Sequence, residues 1–384
     1  MWPKKLIGAT RRAMPPNEKV AIILSMRRPQ LLHFTAISTE HNLTVRASLS
    51  FSRQARHQFW QNPLPGLAPI RPIESLGLLQ SRRFRLRIIG MDKEGHELLN
   101  REYDSDSFGD FNLRLPHPVE GPVARLLVFE TRTHPGLDLL IGSFIPMNVR
   151  EERKILITDF DKTLVDTRYH SPRELYLSLR RPLGYFPPVP NSIELVKNYV
   201  KDGFQPFVVS ASPHFYENAM RDWLYRNQLF TSNIYLKDYR RVFALFEGEL
   251  APKDLKTQGF YKLNHLVNIL LMTGIPDELV LVGDGFESDT IIYLTLASVL
   301  NGRQDPWVVW NSVKQDEGFR LTNRQHFRFL SKFYQLKNLC DTSGPCRVKI
   351  HIRCRKEMLA GWKQRRFKYE FLNRLLPTVD FYEG

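Results

Sequence analysis

The sequence contains two regions with different patterns of apolar and polar positions. In residues 20–150 the apolar runs are short and alternate with polar positions, as in Phe84–Ile89, and turn signals such as Met91–Gly95 and Gly109 separate them. Alternation of this kind is typical of strands that bury one face. The pattern predicts a small β-sandwich over residues 20–150, preceded by an N-terminal segment of residues 1–19.

From Lys154 onward, continuous apolar runs alternate with segments of helical spacing. Ile155–Thr158 and Glu278–Val282 are apolar at most positions, as expected for strands that are buried on both faces. The other predicted elements are the strands Phe207–Val209, Asn233–Leu236 and Pro306–Trp310 and the helices Ser192–Lys201, Phe215–Leu229, Tyr261–Met272 and Ser288–Leu300. This alternation predicts an α/β domain, a doubly wound parallel sheet, over residues 151–321.

The last region, residues 322–384, reads as helical and basic. Lysine and arginine residues are frequent between Arg347 and Arg374, and aromatic residues such as Trp362 and Phe367 lie among them. One interpretation is a solvated helix that packs its apolar stripe on the domain. A second is an amphipathic surface for anionic lipid head groups, and a third is a nucleic-acid surface.

Length and charge narrow the class of protein. The chain has 384 residues, which predicts at least two domains. Its formal net charge is +15 and its pI is near 9.7. A basic balance favours an anionic partner, which can be nucleic acid, an anionic membrane surface or a phosphorylated substrate. Composition selects none of these and does not set the oligomeric state.

The cysteines and the N-terminal residues indicate the cellular compartment. The three cysteines, Cys340, Cys346 and Cys354, match neither a disulfide framework nor a zinc site, so we expect free thiols in a reducing environment. The apolar run Val20–Leu24 is too short for a signal peptide, and no run of about 18 apolar residues occurs. We therefore expect a cytoplasmic protein without a transmembrane helix, either free or peripheral at a membrane surface.

Residues that could carry chemistry lie at the ends of the predicted strands and at the start of one predicted helix. The set consists of Asp159, Asp161 and Thr163 after the first strand, Ser210 and Ala211 after the second, Lys262 in the helix Tyr261–Met272, and Asp284 and Asp289 after the strand Glu278–Val282. The carboxyl ends of parallel strands meet at one edge of a sheet. Side chains from four distant segments could therefore converge at that edge.

The acidic members of this set have tasks in Mg²⁺-dependent phosphoryl transfer. Asp159 and Asp284 can ligate Mg²⁺, which removes the repulsion between the carboxylates and neutralises charge on a phosphate. Asp159 can also attack phosphorus and form an aspartyl-phosphate. Asp161 can protonate the leaving oxygen and then activate water. We also assign the backbone carbonyl of Asp161 to the metal.

The remaining members would bind the phosphoryl group. The hydroxyl groups of Ser210 and Thr163 and the backbone amide of Ala211 can donate hydrogen bonds to its oxygens, and Lys262 can add a fixed positive charge. Taken alone, Ser210 also fits a turn or helix cap, and Lys262 also fits a solvated lysine at a helix start. Asp289 fits either a cap of the following helix or a residue that orients Lys262 or a metal-bound water.

This ordered set resembles the haloacid dehalogenase (HAD) superfamily over residues 155–313. The motifs that look like the actin-patch-type phosphatidate phosphatases and their bacterial relatives are Val209–Pro213 with Tyr216, Leu236–Tyr239, and Val282–Asp284 with Asp289 and Tyr293. That family also carries a β-sandwich before its catalytic domain, and Ser107–Leu115 is similar to the end of such a sandwich. The resemblance implies a HAD-like Rossmannoid domain, Mg²⁺ as cofactor and a phospholipid substrate.

The sequence departs from that family at two motifs. Lys162 stands where relatives usually carry an acid, and Gly283–Asp289 reads Gly-Asp-Gly-Phe-Glu-Ser-Asp where relatives commonly have Gly-Asp-Ser. The nucleophile, acid and metal positions are intact, so the departures bear on the substrate more than on the chemistry. Whether Lys162 contacts substrate or points to solvent stays open at this stage.

Short inserts predict an open site. The segments that follow Thr163 and Tyr235 are too short to form a cap domain with its own core, and an open site suits a lipid head group or a phosphorylated macromolecule. The first insert is basic and fits either a solvated loop or a surface that holds phosphate; its arginines are Arg168, Arg173, Arg180 and Arg181. The proline-rich stretch Phe51–Glu74 predicts a long loop in the sandwich.

Our leading hypothesis is a Mg²⁺-dependent phosphatase of phosphatidate or a related phospholipid phosphomonoester. One alternative is a HAD phosphatase of phosphoproteins or nucleic-acid ends. Another is a non-catalytic HAD module that binds a membrane or a protein, and a last one is a basic nucleic-acid-binding protein.

Overall fold

The fold was analysed in a computed structural model. It describes residues 27–40, 42–53, 82–118, 121–149, 153–167, 183–231, 233–237, 259–301, 304–316, 319 and 323–384. The predicted N-terminal segment 1–19, most of the predicted loop Phe51–Glu74 and the basic insert with its four arginines lie outside these residues.

The described residues of the N-terminal part form eight strands in two four-stranded sheets. They are β1 (Arg27–Ser38), β2 (Asn42–Arg53), β3 (Arg85–Met91), β4 (Glu97–Asp104), β5 (Asp110–Pro116), β6 (Arg125–Glu130), β7 (Leu139–Phe144) and β8 (Met147–Asn148). The strand orders are β5-β2-β1-β8 and β4-β3-β6-β7. All neighbours are antiparallel except β1 and β8.

Alternation along these strands fills one core between the two sheets. Val45 and Leu49 of β2 and Ile88 of β3 are fully buried members of the same apolar cluster. Residues at the intervening positions of β2 point to the outer face of the first sheet. The predicted β-sandwich is therefore present, and its strand β3 corresponds to the predicted strand Phe84–Ile89.

The rest of the chain alternates strands and helices. In order they are β9 (Lys154–Thr158), α1 (Pro190–Lys201), β10 (Gln205–Pro213), α2 (Glu217–Arg226), β11 (Asn233–Lys237), α3 (Gly259–Thr273), β12 (Glu278–Asp284), α4 (Asp289–Leu300), α5 (Pro306–Val313), α6 (Asn323–Ser343), β13 (Arg347–Cys354), α7 (Lys356–Gln364), α8 (Glu370–Leu375) and β14 (Val379–Glu383). The six strands form one sheet in the order β11-β10-β9-β12-β13-β14, and every neighbouring pair is parallel.

Helices cover both faces of this sheet. Ile155 and Ile157 of β9 belong to an apolar core shared with α3, α4, α5 and α6, whereas Leu156 belongs to a second core shared with α1 and α2. A strand that is buried on both faces is apolar at consecutive positions, which is why β9 shows no alternation. The prediction of a mixed α/β chain with a parallel sheet is confirmed.

One predicted strand is a helix. Pro306–Trp310 begins α5, and the Asp305 carboxylate accepts hydrogen bonds from the backbone amides of Trp307 at 2.8 Å and Val308 at 3.3 Å. An aspartate cap followed by proline at the first helical position is a helix-start signal. The apolar run concealed this signal, because a short buried helix and a buried strand are equally apolar.

The region predicted to be helical and basic contains two strands of the sheet. α6, α7 and α8 are helices, but β13 and β14 extend the parallel sheet beyond β12. In β13 the core residues Ile350 and Ile352 alternate with Lys349, His351 and Arg353. The basic residues at alternate positions hid a strand pattern of period two.

Two smaller expectations can be compared with the structure. Cys340, Cys346 and Cys354 are buried free thiols, as predicted. Among the residues that the structure describes, no helix is long and apolar enough to cross a membrane.

Candidate functional site

The parallel register brings the predicted acidic residues to one edge of the sheet. Thr158 at the end of β9 lies opposite Val282 of β12, and the Asp159 amide donates to the Val282 carbonyl at 2.8 Å. Asp159 and Asp284 therefore leave neighbouring strands at almost the same level. Ser210 lies at the carboxyl end of β10, on the other side of β9.

A buried lysine lies among the carboxylates at this edge. Lys262 of α3 is 2% exposed. Its Nζ lies 2.6 Å from Asp289 Oδ1, 3.1 Å from Asp159 Oδ1 and 3.8 Å from Glu287 Oε2. Asp159, Asp284 and Asp289 are 1%, 0% and 0% exposed, and each offers an oxygen within 4.8 Å of the others. The interpretation of Lys262 as a solvated lysine is thus wrong.

Burial and mutual repulsion shift the pKa values of these groups. Burial, together with the charges of Asp289 and Glu287, raises the pKa of Asp284 to about 8. Burial and the neighbouring carboxylates also raise the pKa of Asp159 well above its usual value, although Lys262 opposes this. Burial lowers the pKa of Lys262, but the surrounding carboxylates outweigh it and hold that pKa well above its usual value. The cluster is thus short of positive charge.

Two oxygens of the cluster fit a divalent cation. Among the residues that the structure describes, Asp159 Oδ1 and Asp284 Oδ2 are buried and accept no hydrogen bond. Lys262 Nζ lies 3.1 Å from Asp159 Oδ1 and forms an ion pair with it. Buried polar atoms in native structures are normally satisfied. Hard carboxylate oxygens are the ligands that Mg²⁺ prefers. Asp159 and Asp284 would therefore hold such an ion, while the predicted contribution of the Asp161 backbone carbonyl stays a prediction.

Asp289 has a different part in the cluster. Its Oδ1 accepts from Lys262 at 2.6 Å, and its Oδ2 accepts from the Asp284 amide at 3.2 Å. Asp289 is also the first residue of α4. Of the two interpretations of this residue, the contacts fit the one in which it orients Lys262, since both oxygens already have partners.

Asp161 is held by two hydroxyl groups of β10. Its Oδ2 accepts from Ser210 Oγ at 2.8 Å and from Ser212 Oγ at 2.6 Å. Burial raises the pKa of Asp161 more than the two hydroxyls lower it. A raised pKa favours a carboxyl group that carries a proton, as a general acid must. Ser212 was missed as a site residue, although its alternation with Ser210 at a strand end was a visible signal.

Two of the predicted phosphate-binding residues, Thr163 and Ser210, contact the acids through their hydroxyl groups. Thr163 is fully buried, and its Oγ1 donates to Asp159 Oδ2 at 3.2 Å. Ser210 donates to Asp161, as described above. Ala211 is half-buried at an irregularity in the β10–β11 pairing, between Ser210 and Pro213. The binding of phosphate by all three residues stays a prediction, and the observed contacts of Thr163 and Ser210 orient Asp159 and Asp161.

Lys162 points into the site and not to solvent. Its Nζ lies 2.9 Å from Glu287 Oε1, and the same carboxylate faces Lys262 through Oε2. Burial raises the pKa of Glu287, but Lys262 and Lys162 outweigh it, so the pKa is lowered. Glu287 was missed because its role depends on contacts with two lysines that are distant in the sequence. It links the two lysines of the site.

The backbone at Lys162 is left-handed and supported from β13. Its φ is 58°, a region that residues other than glycine seldom adopt. The guanidinium of Arg353 donates to the Lys162 carbonyl, and it donates to Asp166 Oδ1 at 3.2 Å. Arg353 is 5% exposed. This buried arginine fixes the loop that carries Asp161, and it lies in the region predicted to be helical.

Comparisons with known proteins do not identify a family. No family model and no curated protein matches this chain. A β-glucuronidase of Bifidobacterium dentium, in complex with coumarin-3-O-glucuronide, has 7% identity and a TM-score of 0.26 over 86% of this chain and 45% of its own. A β-glucuronidase of Bacteroides uniformis has 9% identity and a TM-score of 0.23 over 92% and 39%. The chain spans less than half the length of these structures, and the likeness is too weak to support a function.

Proposed function

We propose that this chain is a HAD-type, Mg²⁺-dependent phosphatase that acts through a phosphoenzyme at Asp159. One observation carries the proposal: within the described part of the chain, Asp159 and Asp284 each have a buried oxygen that accepts no hydrogen bond, close to Lys262 and Asp161. Such oxygens suit a cation and a phosphoryl group, because buried polar atoms normally have a partner and acidic clusters with raised pKa values are typical of functional sites. This constellation argues against a non-catalytic binding module.

The residues divide the reaction between them. An oxygen of Asp159 attacks phosphorus, the bond to the ester oxygen breaks, and Asp161 gives its proton to the departing oxygen. Water then attacks phosphorus and gives a proton to Asp161, and the bond to Asp159 breaks. Lys262 neutralises charge near Asp159 throughout. Bound Mg²⁺ would supply further positive charge for the phosphoryl oxygens.

The substrate that we propose is phosphatidate or a related phospholipid phosphomonoester. Three features support it: the resemblance of the site motifs to the actin-patch-type phosphatidate phosphatases, the formal charge of +15, and the exposed basic residues in and beside α7, which include Arg355, Lys356, Arg365 and Arg366. An anionic membrane surface would attract such a chain. In this proposal the protein meets the membrane peripherally.

The test is phosphate release by the purified chain with Mg²⁺. Phosphatidate vesicles, a phosphopeptide and 3′-phosphorylated DNA are compared, and we expect release from the vesicles. Asp159→Asn should abolish release on every substrate and keep the unfolding midpoint at or above that of the parent, because it removes one carboxylate from a crowded cluster. Turnover by Asp159→Asn contradicts the phosphoenzyme. Release from the peptide or DNA alone selects the alternative substrate class.

A further inference from the structure

The outer face of the first sandwich sheet lies against the helices of the parallel sheet. Ile37 of β1 belongs to the core beneath α3, whereas the neighbouring Ala36 belongs to the sandwich core. Arg46 of β2 pairs with Thr35 of β1, so its side chain is on the same face as Ile37. Arg46 therefore projects toward α3 and away from the sandwich interior.

Two cationic side chains and a neutral histidine from three elements lie here; burial and the charges of Arg46 and Lys332 hold the pKa of His265 well below its usual value. Nη1 of Arg46, on β2, lies 3.3 Å from Nδ1 of His265, on α3. The guanidinium of Arg46 also lies 5.0 Å from the ring centre of Tyr235. Lys332 of α6 donates to Asn264 Oδ1 at 3.0 Å and to Asn268 Oδ1 at 2.9 Å. We call Arg46, His265 and Lys332 the interdomain cluster.

No carboxylate balances the interdomain cluster among the residues that the structure describes. The hydrogen-bond partners of Arg46 and Lys332 given above are neutral groups. Asp110, an acid on the adjacent strand β5, accepts from Ser48 at 2.6 Å. Burial and the charges of Arg46 and Arg328 lower the pKa of Lys332 to about 8. Cations that are partly removed from water and repel one another destabilise the fold unless an anion joins them.

We propose that the interdomain cluster binds an oxyanion, either inorganic phosphate or the terminal phosphate of a soluble ester. A guanidinium fork and an ammonium group are the side chains that bind phosphate most strongly. Arg46 and Lys332 are half-buried, so each keeps part of its surface exposed to solvent, from which a small anion can bind. The anion would join β2 of the sandwich to α3 and α6. This inference is independent of the proposed function, because none of these residues belongs to the acidic site.

The experiment compares unfolding midpoints in sodium phosphate, sodium sulfate, glycerol 3-phosphate and sodium chloride at equal ionic strength, with EDTA present. At about ten times its Kd, the anion should raise the ratio of folded to unfolded chain about tenfold over chloride. Arg46→Met and Lys332→Met should lose this rise. Arg114→Met, which removes an exposed arginine of β5, should keep it. Lys332→Met should be at least as stable as the parent in chloride.

Two outcomes overturn the proposal. The first is an equal rise in chloride, which would be a general salt effect. The second is a rise that both Arg46→Met and Lys332→Met retain, which would place the anion elsewhere. If a variant fails to fold, crystals of the parent soaked in tungstate decide: an anomalous peak between Arg46 and Lys332 supports the site, and peaks only elsewhere refute it.

Discussion

Replacing Lys262 with methionine tests whether this lysine balances the negative charge of the acidic site. Lys262 is 2% exposed, and three carboxylates lie within 3.8 Å of its Nζ. Methionine preserves the length of the side chain and removes its charge. The carboxylates of Asp159, Asp289 and Glu287 would then face one another in a buried space without this cation.

The expected loss is large relative to the stability of a domain. Removing one partner of a buried ion pair destabilises a protein by about 3–5 kcal/mol. Total stabilities are about 5–15 kcal/mol, so the variant would lose about a fifth or more of its free energy of unfolding. Magnesium should recover part of the deficit, because a bound cation replaces the missing charge. Saturation to about 100 times Kd contributes about 2.7 kcal/mol.

Urea unfolding, followed by far-UV circular dichroism, measures both effects. The parent and Lys262→Met are compared in EDTA and in Mg²⁺. Lys356→Met is the control, since Lys356 is an exposed lysine of α7 and its replacement should change the free energy of unfolding by less than about 0.5 kcal/mol. A loss below about 1 kcal/mol for Lys262→Met in EDTA would refute the charge balance argued above.

Three further predictions concern the site and the interdomain cluster. A Cβ at Gly283 would lie 2.6 Å from Asp289 Oδ2, so Gly283→Ala should destabilise the fold by about 1–3 kcal/mol and lower phosphate release. The control is Gly361→Ala inside α7, where a Cβ meets no atom within 4 Å and should stabilise the fold by about 0.5–1 kcal/mol. Thermal unfolding measures the stability of both variants, and phosphate release measures their activity. Asp284→Asn should reduce the rise in unfolding midpoint that Mg²⁺ gives the parent, and an undiminished rise would exclude Asp284 as a ligand. The pKa of Lys332 is about 8 in the folded chain and 10.5 in an exposed lysine, so the folded chain loses this proton at a lower pH than the unfolded chain. The free energy of unfolding should therefore rise between pH 8 and 10.5, by at most about 3 kcal/mol. Urea unfolding across that pH range should show a smaller rise for Lys332→Met than for the parent.

The sequence was most informative where one strand end carries several polar residues. Asp159, Asp161 and Asp284 could be placed at one sheet edge because each follows an apolar run, and parallel strands align their carboxyl ends. The same argument located Ser210. These predictions depend on local patterns alone, and the register of β9 and β12 brings the acids together as the patterns require.

The parts that the sequence did not reveal depend on contacts between distant segments. Arg353 supports the Lys162 carbonyl from a strand that looked helical because of its basic residues. Glu287 gains its role from two lysines, one of which lies 25 positions away on α3. No local pattern encodes such pairings. Likewise, the apolar run at Pro306 fits a strand or a helix until the Asp305 cap is noticed.

β14 makes the loop that carries Asp161 sensitive to the C-terminal residues of this chain. β14 covers the edge of β13, the Tyr382 hydroxyl lies 2.8 Å from Ser192 Oγ, and Gly384 packs closely against Arg353. Proteolytic loss of Val379–Gly384 would leave β13 as an open edge that can pair with other chains. It would also loosen Arg353, which holds the loop next to Asp161. A single cleavage would therefore promote aggregation and weaken the site at once.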